Sequence, residues 1–329
     1  MLLQQKFQQI MYKLFIAILS VVLTFSGGYI HPSTDNPIDV KYPGEDNAVM
    51  ALVADPQVGT YFFKRYITFK GAAEDLHNAA CKFDAVIGLG DITENAQQTE
   101  YQLVYENLAG IDTRYIMATG NHDIRLHGYN YSVKTFTDFA NALNDNENPI
   151  SELNFSERVG GYKVIVLGSD KMEFERVYLS DEVLEWLDDE VEAENGKPTF
   201  VICHQTLKNT HNEGLAFGSI TNAGGHMGDQ SIVVKKILSK YKNVFFITGH
   251  LHSGFGPDSY NNVDGIHCIN APSMAIENKD GTYNDAGTGY IMEVYEDEVI
   301  FRARDFAKGT WVAETTGDKS YDITIKIEK

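Results

Sequence analysis

Gly120-Asn121-His122-Asp123 places an amide, an imidazole and a carboxylate directly after an apolar run, Tyr115-Ile116-Met117-Ala118. Asn and Asp disfavour strand and helix interiors, while His brings a metal ligand or a proton carrier. Four other apolar runs end in a similar way. Ala48 to Ala54 ends in Asp55-Pro56-Gln57, Ala85 to Leu89 in Gly90-Asp91, Thr199 to Cys203 in His204, and Val244 to Thr248 in Gly249-His250-Leu251-His252. Ligands of open α/β sheets bind beyond the carboxyl ends of the strands, so these five ends would meet on one edge. Carboxylate, imidazole and amide oxygen together suit divalent ions such as Mn, Fe, Zn or Ni. The groups suffice for two ions sharing a carboxylate, an arrangement that clamps the attacking and departing oxygens of a phosphoryl displacement.

Such ends need strands behind them and helices between them. Tyr66 to Lys82 has helical spacing in Ile67, Ala72, Leu76 and Ala79-Ala80, and a second such pattern runs from Thr99 to Leu108. Strand, helix, strand, helix, strand is the order of parallel βαβ units. Further along, the pattern predicts a helix over Val133 to Leu143 and a strand over Tyr162 to Leu167. A helix capped by Ser180, with Val183, Leu184, Leu187 and Val191 on one face, precedes the strand ending at His204. Gly214 to Gly228 reads as a mobile or ligand-facing loop, followed by a helix around Gln230 to Lys240. Beyond His252 strands dominate: Ile266 to Asn270, a hairpin of Gly289 to Tyr295 with Val299 to Arg304, and an alternating tail over Tyr321 to Ile327. One α/β domain with a two-sheet core over residues 48–329 accounts for the pattern, preceded by a polar linker over 29–47.

With 329 residues, 43% of them hydrophobic and 22% charged, the chain can bury a substantial core. Its formal net charge of -19 excludes the basic footprint that duplex nucleic acid or an anionic membrane surface requires. A local metal site can still invert that field for a phosphate. Cys81, Cys203 and Cys268 are too few for a disulfide framework. At the N-terminus, Lys6 and Lys13 precede an apolar run from Leu14 to Phe25, and Ser26-Gly27-Gly28 follow it. That is the order of a secretory signal, and continuing the run to Ile30 would make an uncleaved anchor. Residues 1–28 are therefore expected to be a signal peptide or N-terminal anchor, and the protein to be secreted or extracytoplasmic. Any membrane association would reside in that segment.

Taken together over residues 48 to about 305, the blocks Asp55-Pro56-Gln57, Gly90-Asp91, Gly120-Asn121-His122-Asp123, His204 and Gly249-His250-Leu251-His252 resemble the calcineurin-like metallophosphoesterase superfamily. The family's own blocks run D-x-H, G-D, G-N-H-D/E, a lone H and G-H-x-H. The resemblance implies a four-layer α/β/β/α sandwich of two mixed sheets and a metal-dependent hydrolysis of phosphate esters. It implies that Asp91 bridges two divalent ions, that Asp55, His252 and Gln57 complete one site, and that Asn121, His204 and His250 complete the other. His122 would protonate the leaving oxygen with Asp123 holding its orientation, and a hydroxide bridging the metals would attack phosphorus in line. Gln57 departs from the family's usual His. Its carbonyl oxygen is a harder, weaker ligand, which puts Mn first, with Fe, Zn, Mg or Ni as alternatives.

Fewer residues point to the substrate. Arg125 is a candidate phosphate contact, with a surface ion pair as the equal alternative, and His226 and His211 flank the glycine-rich loop. Cys203 reads as an inert core thiol. The chain lacks the Arg-containing extension after Gly90-Asp91 and the Glu after His122 that mark the protein Ser/Thr phosphatases of the superfamily. Gly90-Asp91-Ile92-Thr93, Tyr101 and Asp123 look more like its cyclic-nucleotide phosphodiesterase and purple-acid-phosphatase-like branch. A phosphodiesterase or phosphomonoesterase acting on small phosphate esters is expected. The alternative is a non-catalytic metal-containing surface protein that binds phosphorylated ligands.

Overall fold

Short apolar runs rich in Val, Ile and Phe form the strands that carry the site, and these are buried on both faces. The computed structural model describes residues 9–18, 31–45, 47–212, 225–313 and 321–329. In chain order its elements are β1 (Ala48–Val53), α1 (Phe63–His77), β2 (Ala85–Leu89), α2 (Gln98–Leu108), β3 (Arg114–Ala118), the single turn α3 (Asn121–Ile124), α4 (Tyr129–Leu143), β4 (Phe155–Val159) and β5 (Tyr162–Leu167). There follow α5 (Asp181–Glu192), β6 (Thr199–Cys203), α6 (Ser231–Leu238), β7 (Val244–Thr248), β8 (Tyr260–Val263), β9 (Ile266–Asn270), β10 (Thr288–Val294), β11 (Glu298–Asp305), β12 (Thr310–Trp311) and β13 (Ile323–Lys326).

Two mixed sheets result. The first has the order β12-β11-β10-β1-β2-β3, with β13 beside β11, and the second has β4-β5-β6-β7-β9-β8. Strands β1, β2 and β3 are parallel, as are β5, β6, β7 and β9, so their carboxyl ends fall on one side of each sheet. The alternation of side chains sorts the layers. In β1, Ala48, Met50 and Leu52 pack between the sheets with Phe200, Ile202, Phe245 and Ile247. Val49, Ala51 and Val53 face the other way, toward Phe69 of α1, Leu103 of α2 and Phe136 of α4. On the far side, Val201 and Cys203 of β6 meet Leu187 of α5 and Val234 of α6. The layers are helix, sheet, sheet, helix, as the resemblance implied.

Several elements differ from the sequence reading. Helix α1 begins at Phe63 and ends at His77, short of the expected Lys82, and α4 begins at Tyr129. Strands β4 and β8 escape the pattern because Phe-Ser-Glu-Arg-Val and Tyr-Asn-Asn-Val are polar, part-exposed sheet edges. Residues 31–45, read as a linker, are strapped to the domain. Ile38 is fully buried, and its carbonyl accepts from Ala80 N and Cys81 N. Arg304 of β11, paired with Asp75 at 2.7 and 2.9 Å, donates to Asn36 O.

The segment expected to direct export lies mostly outside the described residues. Its described part, residues 9–18, is helical and sets Phe15 against Phe63 with ring centroids 4.9 Å apart. Among the described residues no helix is long and apolar enough to cross a membrane. Most of the glycine-rich loop, residues 213–224, is likewise outside them.

Candidate metal centre

The ends of β1, β2, β3, β6 and β7 bring Asp55, Gln57, Asp91, Asn121, His204, His250 and His252 to one place. Asp55, Gln57, Asp91, His250 and His252 all have left-handed φ, between 37° and 72°. This conformation is uncommon for residues with a Cβ, costs about 1–3 kcal/mol each, and clusters at functional sites. Bonds between neighbouring loops hold it: Gln57 N donates to Asp91 O at 2.9 Å, and Gly249 N to His204 O at 3.1 Å. Two of the preceding glycines are required by close approach. A Cβ at Gly120 would lie 2.1 Å from Asp91 Oδ1, and one at Gly249 would lie 2.5 Å from Asp55 Oδ2.

The two carboxylates are mounted alike. Asp55 Oδ2 accepts from His250 N at 2.9 Å, and Asp91 Oδ1 accepts from His122 N at 2.8 Å. Each is thereby fixed through one oxygen and presents the other. Asp55 Oδ1 stands 3.2 Å from His252 Nε2, while Asp91 Oδ2 stands 3.1 Å from His204 Nε2 and 3.3 Å from Gln57 Nε2. His204 Nδ1 donates to Leu89 O at 2.8 Å, which leaves Nε2 as the ring nitrogen available to a cation. Ligand atoms of Asp91, His204 and His250 all lie within 4.8 Å of one another. Around them Asp55 Oδ1, Gln57 Oε1 and Asn121 Oδ1 are buried without a hydrogen-bond partner. A buried acceptor left unsatisfied costs about 1–3 kcal/mol, and three around one carboxylate and two imidazoles are what a cation would satisfy. The residues present fit a divalent metal.

Burial opposes the charge on Asp91, but His204 and His122 outweigh it and hold the carboxyl well below its usual range. For His204 burial acts downward, yet the carboxylates of Asp91 and Asp55 raise the ring to about 9. At pH 7 the metal-free ring is therefore protonated, and a metal must displace that proton from Nε2. Mn²⁺ binding at pH 7 is expected to release about one proton from this site, and affinity should weaken as pH falls below about 9. Calorimetry in buffers of different ionisation enthalpy measures this directly; an enthalpy independent of buffer would remove His204 from the ligand set.

His122 sits beside the ligands, with Nδ1 2.9 Å from Glu94 O and Nε2 3.9 Å from Asp91 Oδ2. Asp123 requires a correction, because it does not orient His122. Oδ1 accepts from Thr93 N, Thr93 Oγ1 and Tyr101 OH, and Oδ2 from Ile92 N and Gly120 N, at 2.9–3.1 Å. As the third residue of the turn α3 it reaches back to the backbone that precedes the helix, as acidic residues at that position do. It thus ties the β2 and β3 ends together, and the tautomer of His122 is set by Glu94 O instead. Burial and the nearby Asp91 charge push the Asp123 carboxyl up to about 6.

Arg125 does reach the site. Its Nη2 lies 3.1 Å from His122 Nδ1 and 2.8 Å from Nε2, and its Nε is buried with no acceptor. His226 does not line the cleft; its Nδ1 accepts from Gly228 N at 3.0 Å, and its backbone pairs with Thr206. Nor does His211, whose Nδ1 donates to Asp258 O. Cys203 is fully buried, and burial pushes its thiol up to about 12, in keeping with an inert core residue. Two lining residues went unforeseen: Glu175, from the loop between β5 and α5, and Lys279, which follows β9. Neither stands in a motif or a periodic segment, and only an acidic or basic side chain in a loop could have pointed to it.

A family model described as calcineurin-like phosphoesterase matches residues 49–254. Comparison with curated proteins gives no match. Similar solved structures include a conserved uncharacterized protein of Streptococcus pneumoniae TIGR4, described as a predicted phosphoesterase, with 12% identity over 85% of this chain and 98% of that one and a TM-score of 0.40. A 5′-nucleotidase candidate of Staphylococcus aureus in complex with alpha-ketoglutarate shares 14% identity over 76% of this chain and 51% of that one, with a TM-score of 0.46. Vacuolar protein sorting 29 of Cryptosporidium parvum shares 10% identity over 87% of this chain and 100% of that one, with a TM-score of 0.36.

Proposed function

We propose that this chain, which belongs to the calcineurin-like phosphoesterase family and is a metal-dependent phosphoester hydrolase, acts on small phosphate mono- or diesters outside the cytoplasm, with Mn the leading choice of metal. The observation that carries the reading is the set of buried oxygens of Asp55, Gln57 and Asn121, left without donors around Asp91, His204 and His250. Asp55, Gln57, Asp91 and His252 would hold one ion, and Asp91, Asn121, His204 and His250 a second, with Asp91 shared. Bound there, the ions supply Lewis acidity, activating water as the nucleophile and drawing charge from the phosphoryl group.

The chain's own groups do the rest. His122 donates Nδ1–H to Glu94 O, and Nε2, which accepts from Arg125 Nη2 at 2.8 Å, is the ring atom from which a proton would pass to the leaving oxygen once Arg125 turns to the phosphoryl group. Arg125, with its Nε still lacking an acceptor, offers charged donors to the phosphoryl oxygens. Lys279 adds a cation to the rim of the same cleft. The cleft, about 140 Å³ in volume, has room for a phosphoryl group beside Arg125 and Lys279. The net charge of -19 makes duplex nucleic acid a poor partner. Gln57 supports Mn or Mg over softer ions, because its only ligating atom is an oxygen. Export rests on the basic, apolar and small-residue order of residues 1–28.

The test is a panel of small phosphate mono- and diesters, headed by p-nitrophenyl phosphate and its bis ester. Chelator-stripped protein receives Mn, Mg, Zn, Fe or Ni one at a time. Turnover restored best by Mn is expected. No turnover with any ion, alongside tight phosphate binding, would overturn the reading in favour of a binding protein.

A further inference from the structure

Glu175 touches the centre from outside its ligand set, and its carboxylate is divided between two partners. Oε2 accepts from Asn121 Nδ2 at 2.9 Å, and Oε1 accepts from Arg125 Nη1 at 2.7 Å. The Glu175 side chain is 11% exposed and that of Arg125 16%, well inside the range where an ion pair is more than surface decoration. An amide can ligate a cation only through its oxygen, so whichever group claims the nitrogen decides whether Asn121 is a ligand at all. With Nδ2 committed to Glu175, Asn121 Oδ1 is the atom left buried without a donor in the cleft. The same carboxylate aims the guanidinium whose other arm lies 2.8 Å from His122 Nε2.

We propose that Glu175 is a positioning residue that couples cation binding at Asn121 to phosphoryl binding at Arg125. It rests on the reading of Asn121 as a ligand and of Arg125 as the phosphoryl contact. Asn121, Glu175, Arg125 and His122 form one chain of contacts, and Glu175 is the only link not contributed by the β3 end. Its loop, residues 168–180, is a mount built independently of it. Asp170 Oδ1 accepts from Asn154 Nδ2 and Oδ2 from Ser180 N, while Tyr178 N donates to Ser169 Oγ and Val177 N to Met227 O. A compact loop closed by its own side chains holds Glu175 in place without depending on Glu175 for its shape. Arranged this way, a shift of the carboxylate would be felt by the ligand and the cation together.

The test compares Glu175→Ala, Glu175→Gln and Arg125→Ala by Mn²⁺ titration calorimetry, by steady-state kinetics and by melting of the metal-free protein. Glu175→Ala is expected to weaken Mn²⁺ binding by about 10–100-fold, the usual cost of losing a partner behind a ligand, and to raise KM as well. Arg125→Ala should raise KM and leave the Mn²⁺ isotherm unchanged. Glu175→Gln, which keeps the shape and one acceptor, should retain the metal-free melting temperature and fall between wild type and Glu175→Ala in both measures; it carries the test if the alanine variant does not fold. Mn²⁺ isotherms of both Glu175 variants within twofold of wild type would overturn the proposal. Weakened metal binding with an unchanged KM would overturn the coupling to Arg125. The titration needs no turnover, so a wild-type protein inactive on every ester would count against the proposed function and leave the role of Glu175 to be decided by the metal arm.

Discussion

Asp91→Asn should bind no Mn²⁺ at concentrations that saturate the wild type, and its turnover should fall by about a thousandfold or more, the scale on which preorganised electrostatic contributions are lost. The substitution keeps volume and shape, so the geometry isolates charge and donor pattern. Asp91 Oδ1 is committed to the His122 N–H at 2.8 Å. An Asn amide must place its oxygen there and its NH₂ where Oδ2 stood, 3.1 Å from His204 Nε2. A nitrogen donor at that point cannot ligate and turns a hydrogen toward the atom that should. Reversing the amide does no better, because two N–H groups then meet at His122. Thermal melting gives the cleanest readout. At about 100 times its Kd, Mn²⁺ should stabilise the wild type by about 2.7 kcal/mol and Asp91→Asn by nothing. The metal-free variant should melt below the metal-free wild type, since the ionised carboxylate that His204 and His122 stabilise is gone and His204 loses its buried partner. A metal-induced shift of normal size in Asp91→Asn would remove this residue from the centre.

The residues that converge at the site could be read from the sequence because two physical demands coincide at strand ends. Strands buried on both faces must be apolar throughout, so Ala48–Val53 and Val244–Thr248 stand out against their neighbours. The residues that follow are polar where burial would favour apolar ones, as Asp55, at 0% exposure, illustrates. Such a conflict between local preference and environment marks function. Asp123 was misread for a different reason. A run of four residues does not say which way each side chain points, and only when Asn121–Ile124 closes into a helical turn does the third position face back toward Gly120 N and the Thr93 backbone.

Glu175 was invisible because nothing local constrains it. Its identity answers to Asn121 and Arg125, 54 and 50 residues earlier in the chain. Ile38 is a lone apolar residue in a polar stretch, and its burial against the Ala80–Cys81 backbone is likewise a tertiary fact. The edge strands β4 and β8 carry no apolar signature because their outer side faces solvent. What could be read was thus the part of the molecule where burial and chemistry disagree. What could not be read was set by distant contacts.

His122→Ala should lose about 10²–10⁴-fold in turnover on alkyl phosphates while keeping its metal, which separates proton delivery from cation binding. The backbone N–H of His122, not its ring, holds Asp91, and alanine retains that bond. Metal affinity should therefore stay near wild type, in contrast to Asp91→Asn. The ring's contribution depends on how much the leaving oxygen needs a proton. An alkoxide needs one in the transition state, whereas a p-nitrophenolate departs without one. The deficit of His122→Ala should accordingly be large for alkyl esters and much smaller for p-nitrophenyl phosphate. Arg125, 2.8 Å from Nε2 in the wild type, would remain to hold the phosphoryl oxygens, so KM should change less than kcat. Kinetics of the wild type and of His122→Ala across esters of graded leaving-group pKa measures the slope. An equal loss for every leaving group would mean that His122 stabilises phosphoryl charge without delivering a proton, and the assignment of Nε2 as the acid would fall.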